Sequence, residues 1–413
     1  MGSKIVRAAL CILVGLVLPF AVNAADQKSV PPSPPAASGE LQILIGYLGV
    51  EGEPRETMSP LDKPITEEGL MGARVGLADD NTTGRLMKQN YKMDEVLVPD
   101  GGDVKKAARD LIASGHRYIV ADLPAAQLLA VADLPEAKDA MIFNVQAKDD
   151  LLRGADCRAN VFHATPNRAM LADALAQYLI KMRWSKWFLV SGKTDQDKLY
   201  AQAIRRSAKR FNAKIVSEKE WTFAPESKHT DDGHVSEQET VPVFTQGPDY
   251  DVLIVADEAD NFGDFLPYHT FTPRLVAGTH GLVPTAWNRT NEAWGATQFH
   301  NRFERKANRW MTERDYAAWV AVRTVGEAAT RLNSGDLNKV RAFVLSPDFA
   351  ISSFMGTGAS YRPWDHQLRQ QILLTGPRML VSFSPQPGFL HEFDTLDTLG
   401  FDKPDSACKQ ISH

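Results

Sequence analysis

The chain has 413 residues, of which 44% are hydrophobic, 23% charged and 9% aromatic, and its formal charge is −5. Such fractions exclude disordered, collagen-like and multispan membrane classes, and the length allows two or three domains. With 46 basic residues against 51 acidic ones and no basic stripe, a nucleic-acid partner is not expected.

The first segment reads as an export signal. Lys4 and Arg7 form a positive n-region, Ala8 to Phe20 an apolar h-region shorter than a spanning helix needs, and Val22-Asn23-Ala24 a cleavage site. Cys11 lies inside the apolar run, too early for lipid attachment. Residues 25–40, ADQKSVPPSPPAASGE, are a Pro-rich tether with nothing to bury. Cleavage after Ala24 leaves Cys157 and Cys408, which in an oxidising compartment are expected to form a disulfide, the alternative being two buried thiols.

Beyond the tether, apolar runs alternate with helical patterns. Strands are expected at Leu41–Val50, Glu95–Val98, Tyr118–Ala121, Met141–Val145, Trp187–Ser191, Lys214–Val216 and Val252–Ala256. Helices are expected over 66–79, opened by Thr66, and over 103–114, 125–132, 169–182 and 199–211. Asp80-Asn81-Thr82-Thr83-Gly84 reads as a turn, and residues 224–249 as a polar surface excursion. Thr312-Glu313-Arg314-Asp315 has capping-box spacing and opens a long helix over 312–332. This alternation predicts α/β units around parallel sheets, too many for one sheet, and hence two lobes.

The chain carries no G-x-S-x-G elbow, Walker A loop, G-x-G-x-x-G or H-E-x-x-H, so no catalytic residue, cofactor or metal is expected. His229-Thr230-Asp231-Asp232-Gly233-His234 is metal-like in composition, but in so polar a loop such residues are simply solvated. More informative are the ends of the expected strands, where an open α/β sheet presents its crevice. They carry Tyr47, Asp122, Gln146, Lys148 and Asp149 in one half, and Asp195, Tyr200, Asp257 and Glu258 in the other. These are the candidate ligand-binding residues. Asp257 and Glu258 suit a cationic or hydroxyl-rich part of a solute, and Lys148 an anionic part. The competing role for each carboxylate is to cap the following helix.

The stretches ITEEGLMGARVGLADDNTTGR, GGDVKKAARDLIASGHRYIVADLPAA and FHATPNRAMLADALAQYLIKMRWSKWFLVSGKTDQDKLYAQAIRRSAKRFNAKIV resemble, in order, the substrate-binding proteins of branched-chain amino-acid ABC transporters. Gly69, Ala73, Asn81, Gly84, Pro166, Tyr178, Tyr200 and Ala213 match that pattern. DCRANVFHATP, TQGPDYDVLIVADEAD and RPWDHQLRQ resemble the subgroup linked with PQQ-dependent alcohol-dehydrogenase systems. The resemblance implies a two-lobed type I periplasmic binding fold, each lobe a mostly parallel sheet flanked by helices, joined by three hinge crossovers. It places the crossovers near Ala164–Asn167, Val283–Trp294 and Leu345–Phe354. Lobe one would comprise 41–165 and 291–347, and lobe two 166–290 and 348–408. It further implies a monomer in the periplasm that holds a small-molecule ligand between its lobes and delivers it to an ABC permease. The alternative is a ligand sensor or accessory protein of an alcohol oxidation system. Where amino-acid binders of this family carry Ser/Thr clusters, this chain has Pro124-Ala125-Ala126 and Ala147-Lys148-Asp149, so the hydroxyl clamp for an α-carboxylate is missing.

Overall fold

The computed structural model describes residues 40–52, 63–222 and 237–411. The expected signal segment 1–24, the tether except Glu40, and the His229–His234 loop lie outside the described residues.

The first lobe is laid down as β1 (Leu41–Val50), α1 (Leu70–Met87), β2 (Gln89–Val98), α2 (Val104–Ala113), β3 (Tyr118–Asp122), α3 (Ala125–Ala132), β4 (Met141–Asn144) and β5 (Val161–His163). Its parallel sheet has the order β2-β1-β3-β4-β5. Every residue of β3, β4 and β5 is buried. Helices cover both faces of a parallel sheet, so its central strands read as unbroken apolar runs. The second lobe follows with α4 (Arg168–Lys181), β6 (Lys186–Ser191), α5 (Asp195–Arg210), β7 (Lys214–Glu220), α6 (Glu237–Phe244), β8 (Val252–Ala256), β9 (Leu275–Gly278) and β10 (Val283–Thr285). Strands β7-β6-β8-β9 form its parallel sheet. Strand order reverses between β1 and β3 in one sheet and between β6 and β8 in the other, and these switch points are where such sheets open a crevice.

The chain then returns. Helices α7 (Ala296–Ala307), α8 (Glu313–Leu332) and α9 (Leu337–Val344) rejoin the first lobe, followed by the short strands β11 (Ile351–Ser352), β12 (Gly358–Tyr361) and β13 (Leu368–Arg369). Strands β14 (Ile372–Gly376) and β15 (Met379–Ser384) pair antiparallel beside β10. The first crossing runs between β5 and α4 and the second between β10 and α7. The third lies beyond β13. Ile351, Met355, Ala359, Tyr361 and Leu368 are buried in the first lobe's core, and the His163 N–H donates to the His366 carbonyl (2.9 Å). Residues 348–368 therefore belong with lobe one, and the passage falls between Leu368 and Ile372 instead of at 345–354.

Helix α1 also departs from expectation. It starts at Leu70, after Gly69 in a left-handed conformation (φ 78°), with no side-chain cap from Thr66. It continues through Asp80–Gly84, the expected turn. The reason is packing against α8: Asp80 is buried and ion-paired with Arg323, and a Cβ on Gly72 would collide with the Asp315 carbonyl. Helix α8 opens with the predicted capping box, Thr312 with Asp315, and the Asp315 carboxylate also receives the Gly69 N–H (2.8 Å) and two bonds from Arg309 (2.6 and 3.0 Å). In the expected surface excursion, α6 is a packed element whose Val241 is fully buried.

The tail from Thr395 to Gly400 lies on the second lobe. The Gln177 Nε2 donates to Thr398 Oγ1 (3.0 Å) and Arg206 donates to the Gly400 carbonyl (2.7 Å). Cys408 is then disulfide-bonded to Cys157, 251 residues earlier, just before β5 of the first lobe.

Candidate functional site

A cavity of about 570 Å³ lies between the carboxyl ends of the two sheets, lined from both lobes. Lobe one contributes the loop after β4. Asn144 shapes it by accepting the N–H groups of Gln146 and Ala147 (3.2 and 2.9 Å) and donating to the Ala147 carbonyl (2.8 Å). Arg153, 1% exposed, pins it from beneath by donating to the carbonyls of Ala147 (2.8 Å), Asp149 (3.2 Å) and Thr165 (2.8 Å) and to Gln367 Oε1 (2.8 Å). Burial lowers the Arg153 pKa to about 10, opposed by Asp150 and Asp365. At the loop's tip Lys148 pairs with Glu313 (2.6 Å), the first residue of α8. Glu313 also receives the Thr285 hydroxyl (2.8 Å) and the Ala286 N–H (2.7 Å). Burial alone would raise the Glu313 pKa, but Lys148 and these donors outweigh it and lower it.

Arg314, next along α8, faces the cavity above Asp122 (3.6 Å), whose Oδ2 accepts the Tyr47 hydroxyl (2.8 Å). Burial raises the Asp122 pKa to about 6 against the pull of Arg314, and burial with the neighbouring Asp122 raises that of Tyr47. Gly69 closes this corner: a Cβ there would lie 2.6 Å from Asp122 Oδ2.

Lobe two builds its wall from caps. The Thr194–Asp197 capping box opens α5, and Asp197 Oδ1 also accepts the N–H groups of Glu258 (2.7 Å) and Ala259 (3.1 Å), locking the loop after β8 to α5. The Asp257 carboxylate accepts three backbone N–H groups, those of Asn261 (3.0 Å), Phe262 (2.7 Å) and Gly263 (2.7 Å). Glu258 Oε2 receives Arg168 Nε (2.9 Å) and Nη2 (2.6 Å), and Nη2 also bonds Gln196. The remaining nitrogen, Arg168 Nη1, lies 3.4 Å from Asp149 of the other lobe. It has no hydrogen-bond partner among the described residues, and neither has the Tyr200 hydroxyl. Both side chains line the cavity, Arg168 at 4% and Tyr200 at 2% exposure. Burial holds the Tyr200 phenol neutral by raising its pKa, reinforced by Glu258 and Glu313.

At the rim His280 Nε2 bonds Asp260 (3.0 Å). Burial opposes a charge on His280, but Asp260, Asp264 and Asp257 outweigh it and raise its pKa. Asp260, Asp264 and His280 each bring a ligand atom within 4.8 Å of the others, one group among the described residues able to hold a metal ion.

A family model described as periplasmic binding protein matches residues 95–229. No curated protein matches the chain in sequence. A branched-chain amino acid ABC transporter periplasmic ligand-binding protein from Burkholderia xenovorans superposes with a TM-score of 0.68 at 14% identity, over 90% of this chain and 100% of that one. A leucine-, isoleucine-, valine-, threonine- and alanine-binding protein from Brucella ovis, in a closed conformation, does so with a TM-score of 0.65 at 15% identity, over 91% and 100%. A solute binding protein of an ABC transporter from Rhodopseudomonas palustris, in complex with 3,4-dihydroxybenzoic acid, gives 0.59 at 12%, over 83% and 97%. The chain has the type I periplasmic binding fold. The matched family and these three structures are all binding proteins.

Within that fold, the residues expected from sequence divide into two groups. Gln146, Lys148, Asp149, Tyr200, Asp257 and Glu258 line the cavity. Tyr47 and Asp122 lie behind Arg314, and Asp195 is an exposed residue in the first turn of α5, off the cavity. Asp257 turned out to be a cap, because three N–H groups of the following turn converge on it. The sequence reading missed Arg168, Gln196, Arg314, Thr279 and His280. Two of these carried a signal. Arg168 and Arg314 sit in the first turns of α4 and α8, where a cation opposes the helix dipole. A basic residue in that position requires a carboxylate partner or a task.

Proposed function

We propose that the chain is the periplasmic solute-binding component of an ABC-type importer, which captures a small polar solute between its lobes and presents it to a permease. The observation that carries this reading is the cavity itself, lined from both lobes by residues beyond the carboxyl ends of β3 and β4 in one sheet and of β6, β8 and β9 in the other. In this mechanism each lobe holds part of the solute, and only the closed form makes all the contacts. The solute shifts the equilibrium by its extra affinity for that form. An exported monomer fits the segment read as a signal, and among the described residues no helix is long and apolar enough to cross a membrane. The structural neighbours, one a binding protein for leucine, isoleucine, valine, threonine and alanine and one in complex with 3,4-dihydroxybenzoic acid, support solutes of that size.

The test is a thermal-shift screen of small solutes combined with small-angle scattering. A solute at 100 times its Kd adds about 2.7 kcal/mol of stability, and the radius of gyration contracts on binding. The phrases resembling the PQQ-linked subgroup carry a second reading, an accessory of alcohol oxidation. A protein that copurifies with a periplasmic dehydrogenase and responds to no solute would favour it.

A further inference from the structure

Two neighbouring turns of the second lobe bring metal-type ligands to the rim of the cavity. Strands β8 and β9 pair in parallel, so the turn after β8, with Asp260 and Asp264, lies beside the turn after β9, with His280. His280 Nε2 stands 3.0 Å from Asp260 Oδ1 and 3.9 Å from Asp264 Oδ1. Ligand atoms about 2.1 Å from one ion stand about 3–3.4 Å from each other in octahedral or tetrahedral geometry. Rotation of Asp264, the exposed member of the group, closes the difference. The turn itself is built to hold these positions. Asp257 accepts the N–H groups of Asn261, Phe262 and Gly263, between the two acids. A Cβ on Gly263 would lie 2.0 Å from His280 Nδ1, so only glycine there admits the ring.

The far side of the ring decides what Nε2 offers. Thr279 Oγ1 accepts the Asp257 N–H (3.0 Å) and donates its one proton to the Val255 carbonyl (3.3 Å). It therefore accepts from His280 Nδ1–H (3.0 Å), and this arrangement leaves Nε2 with its lone pair toward the two carboxylates. Three electron-pair donors facing one point need a cation between them, a proton or a metal ion. The wider surroundings have the matching sign. Four carboxylates against three permanent cations line the cavity, and Glu313, Asp122, Glu68 and Asp264 stand behind, each against a basic side chain of that wall. A field of that sign concentrates cations.

We infer that Asp260, Asp264 and His280 form a site for one divalent first-row transition-metal ion, of the class of Mn²⁺, Co²⁺, Ni²⁺ and Zn²⁺, at the rim of the cavity. An imidazole with two carboxylates suits that class and not Ca²⁺ or Mg²⁺, which take oxygen ligands. Because Asp260 and His280 line the cavity, the remaining positions of the ion belong to water or to a solute held there. The inference goes beyond the binding-protein reading and does not depend on it.

The experiment uses the mature protein, stripped with a chelator, and the metal ion alone as probe. In calorimetric titration Co²⁺, Ni²⁺ or Zn²⁺ should bind at one equivalent, Ca²⁺ and Mg²⁺ should not compete, and the visible absorption of bound Co²⁺ should report nitrogen and oxygen ligation. His280→Ala should weaken binding by at least about a hundredfold, since even groups that only orient a ligand are worth about ten- to a hundredfold. Asp264→Asn, at an exposed position, should weaken it by at least about tenfold while leaving the unfolding midpoint of the metal-free protein unchanged. This second variant decides the matter should His280→Ala fail to fold. The paired variant His229→Ala/His234→Ala should bind as the parent does. Metal affinity unchanged in Asp264→Asn would overturn the inference. So would affinity that survives His280→Ala and is lost in the paired variant, or a protein that takes up no transition metal, in which case a proton holds the three groups together. None of these outcomes touches the binding-protein reading, which the solute screen decides.

Discussion

On the first lobe, the loop that lines the cavity is held from below by buried side chains: Asn144 ties its turn, and Arg153 gathers three carbonyls and a glutamine. On the second, the corresponding loops are held by carboxylates that accept backbone N–H groups, Asp197 from Glu258 and Ala259 and Asp257 from the turn that follows it. The difference concerns reach. Arg153 bonds Thr165 in the first passage and Gln367 just before the third, so the first wall is built into the hinge. The Asp257 carboxylate bonds only N–H groups within six positions of itself, its own N–H reaches Thr279, and Asp197 reaches Glu258 and Ala259, all in the second lobe, so the second wall is held within its own lobe.

The comparison can be broken hardest at Arg153. Arg153→Leu leaves the Ala147 and Thr165 carbonyls buried without a donor, and Asp150 and Asp365 without its field. A loss of about 3–5 kcal/mol is expected, read as a lowered urea midpoint. Hydrogen exchange should quicken both at 145–149 and across the passages at 164–167 and 366–370. Confinement of the change to the β4 loop would deny the hinge connection.

Asp122 sharpens the comparison through pH. Its folded pKa is raised from 3.8 to about 6, so the folded state binds the extra proton. The stability this group contributes is complete below about pH 4 and is lost as pH rises through 6, a change of about 3 kcal/mol. Asp122→Asn, which keeps a neutral acceptor for Tyr47, should gain on the wild type by about that amount between pH 4 and pH 7 in urea titrations. Parallel pH profiles for the two proteins would refute it. The smallest effect belongs to the second wall. Asp257→Ala should cost about 2 kcal/mol and speed exchange at 261–263 while sparing the hinge segments. A hinge response equal to that of Arg153→Leu would erase the distinction.

How far the sequence spoke for itself can be argued from particular stretches. Val252–Ala256 was readable as a strand because a strand buried on both faces has no polar residue to confuse the pattern. β7, an edge strand in its sheet, was read as three residues where it has seven, because SEKE is polar throughout and looks like loop. Asp80–Gly84 looked like a turn in isolation and is helix because Arg323, 243 residues away, neutralises Asp80. The site follows the same rule. Gln146, Lys148, Tyr200 and Glu258 were legible because strand ends are where crevices form. Arg168 was not, since its meaning lies in partners drawn from the first turn of α5 and from two separate loops. Nor could sequence say that Asp257 faces its own backbone, for cap and ligand use the same carboxylate.

The link between Cys157 and Cys408 has a topological consequence. The tail is fastened to the second lobe through Gln177 and Arg206 and to the first through Arg362, which donates to the Leu396 and Leu399 carbonyls, and it is then bolted to the first at Cys157, so the polypeptide closes into a loop threading both lobes. A protease cut in any one of the three passages would leave the halves joined. Reduction would open this loop without touching a single residue that lines the cavity.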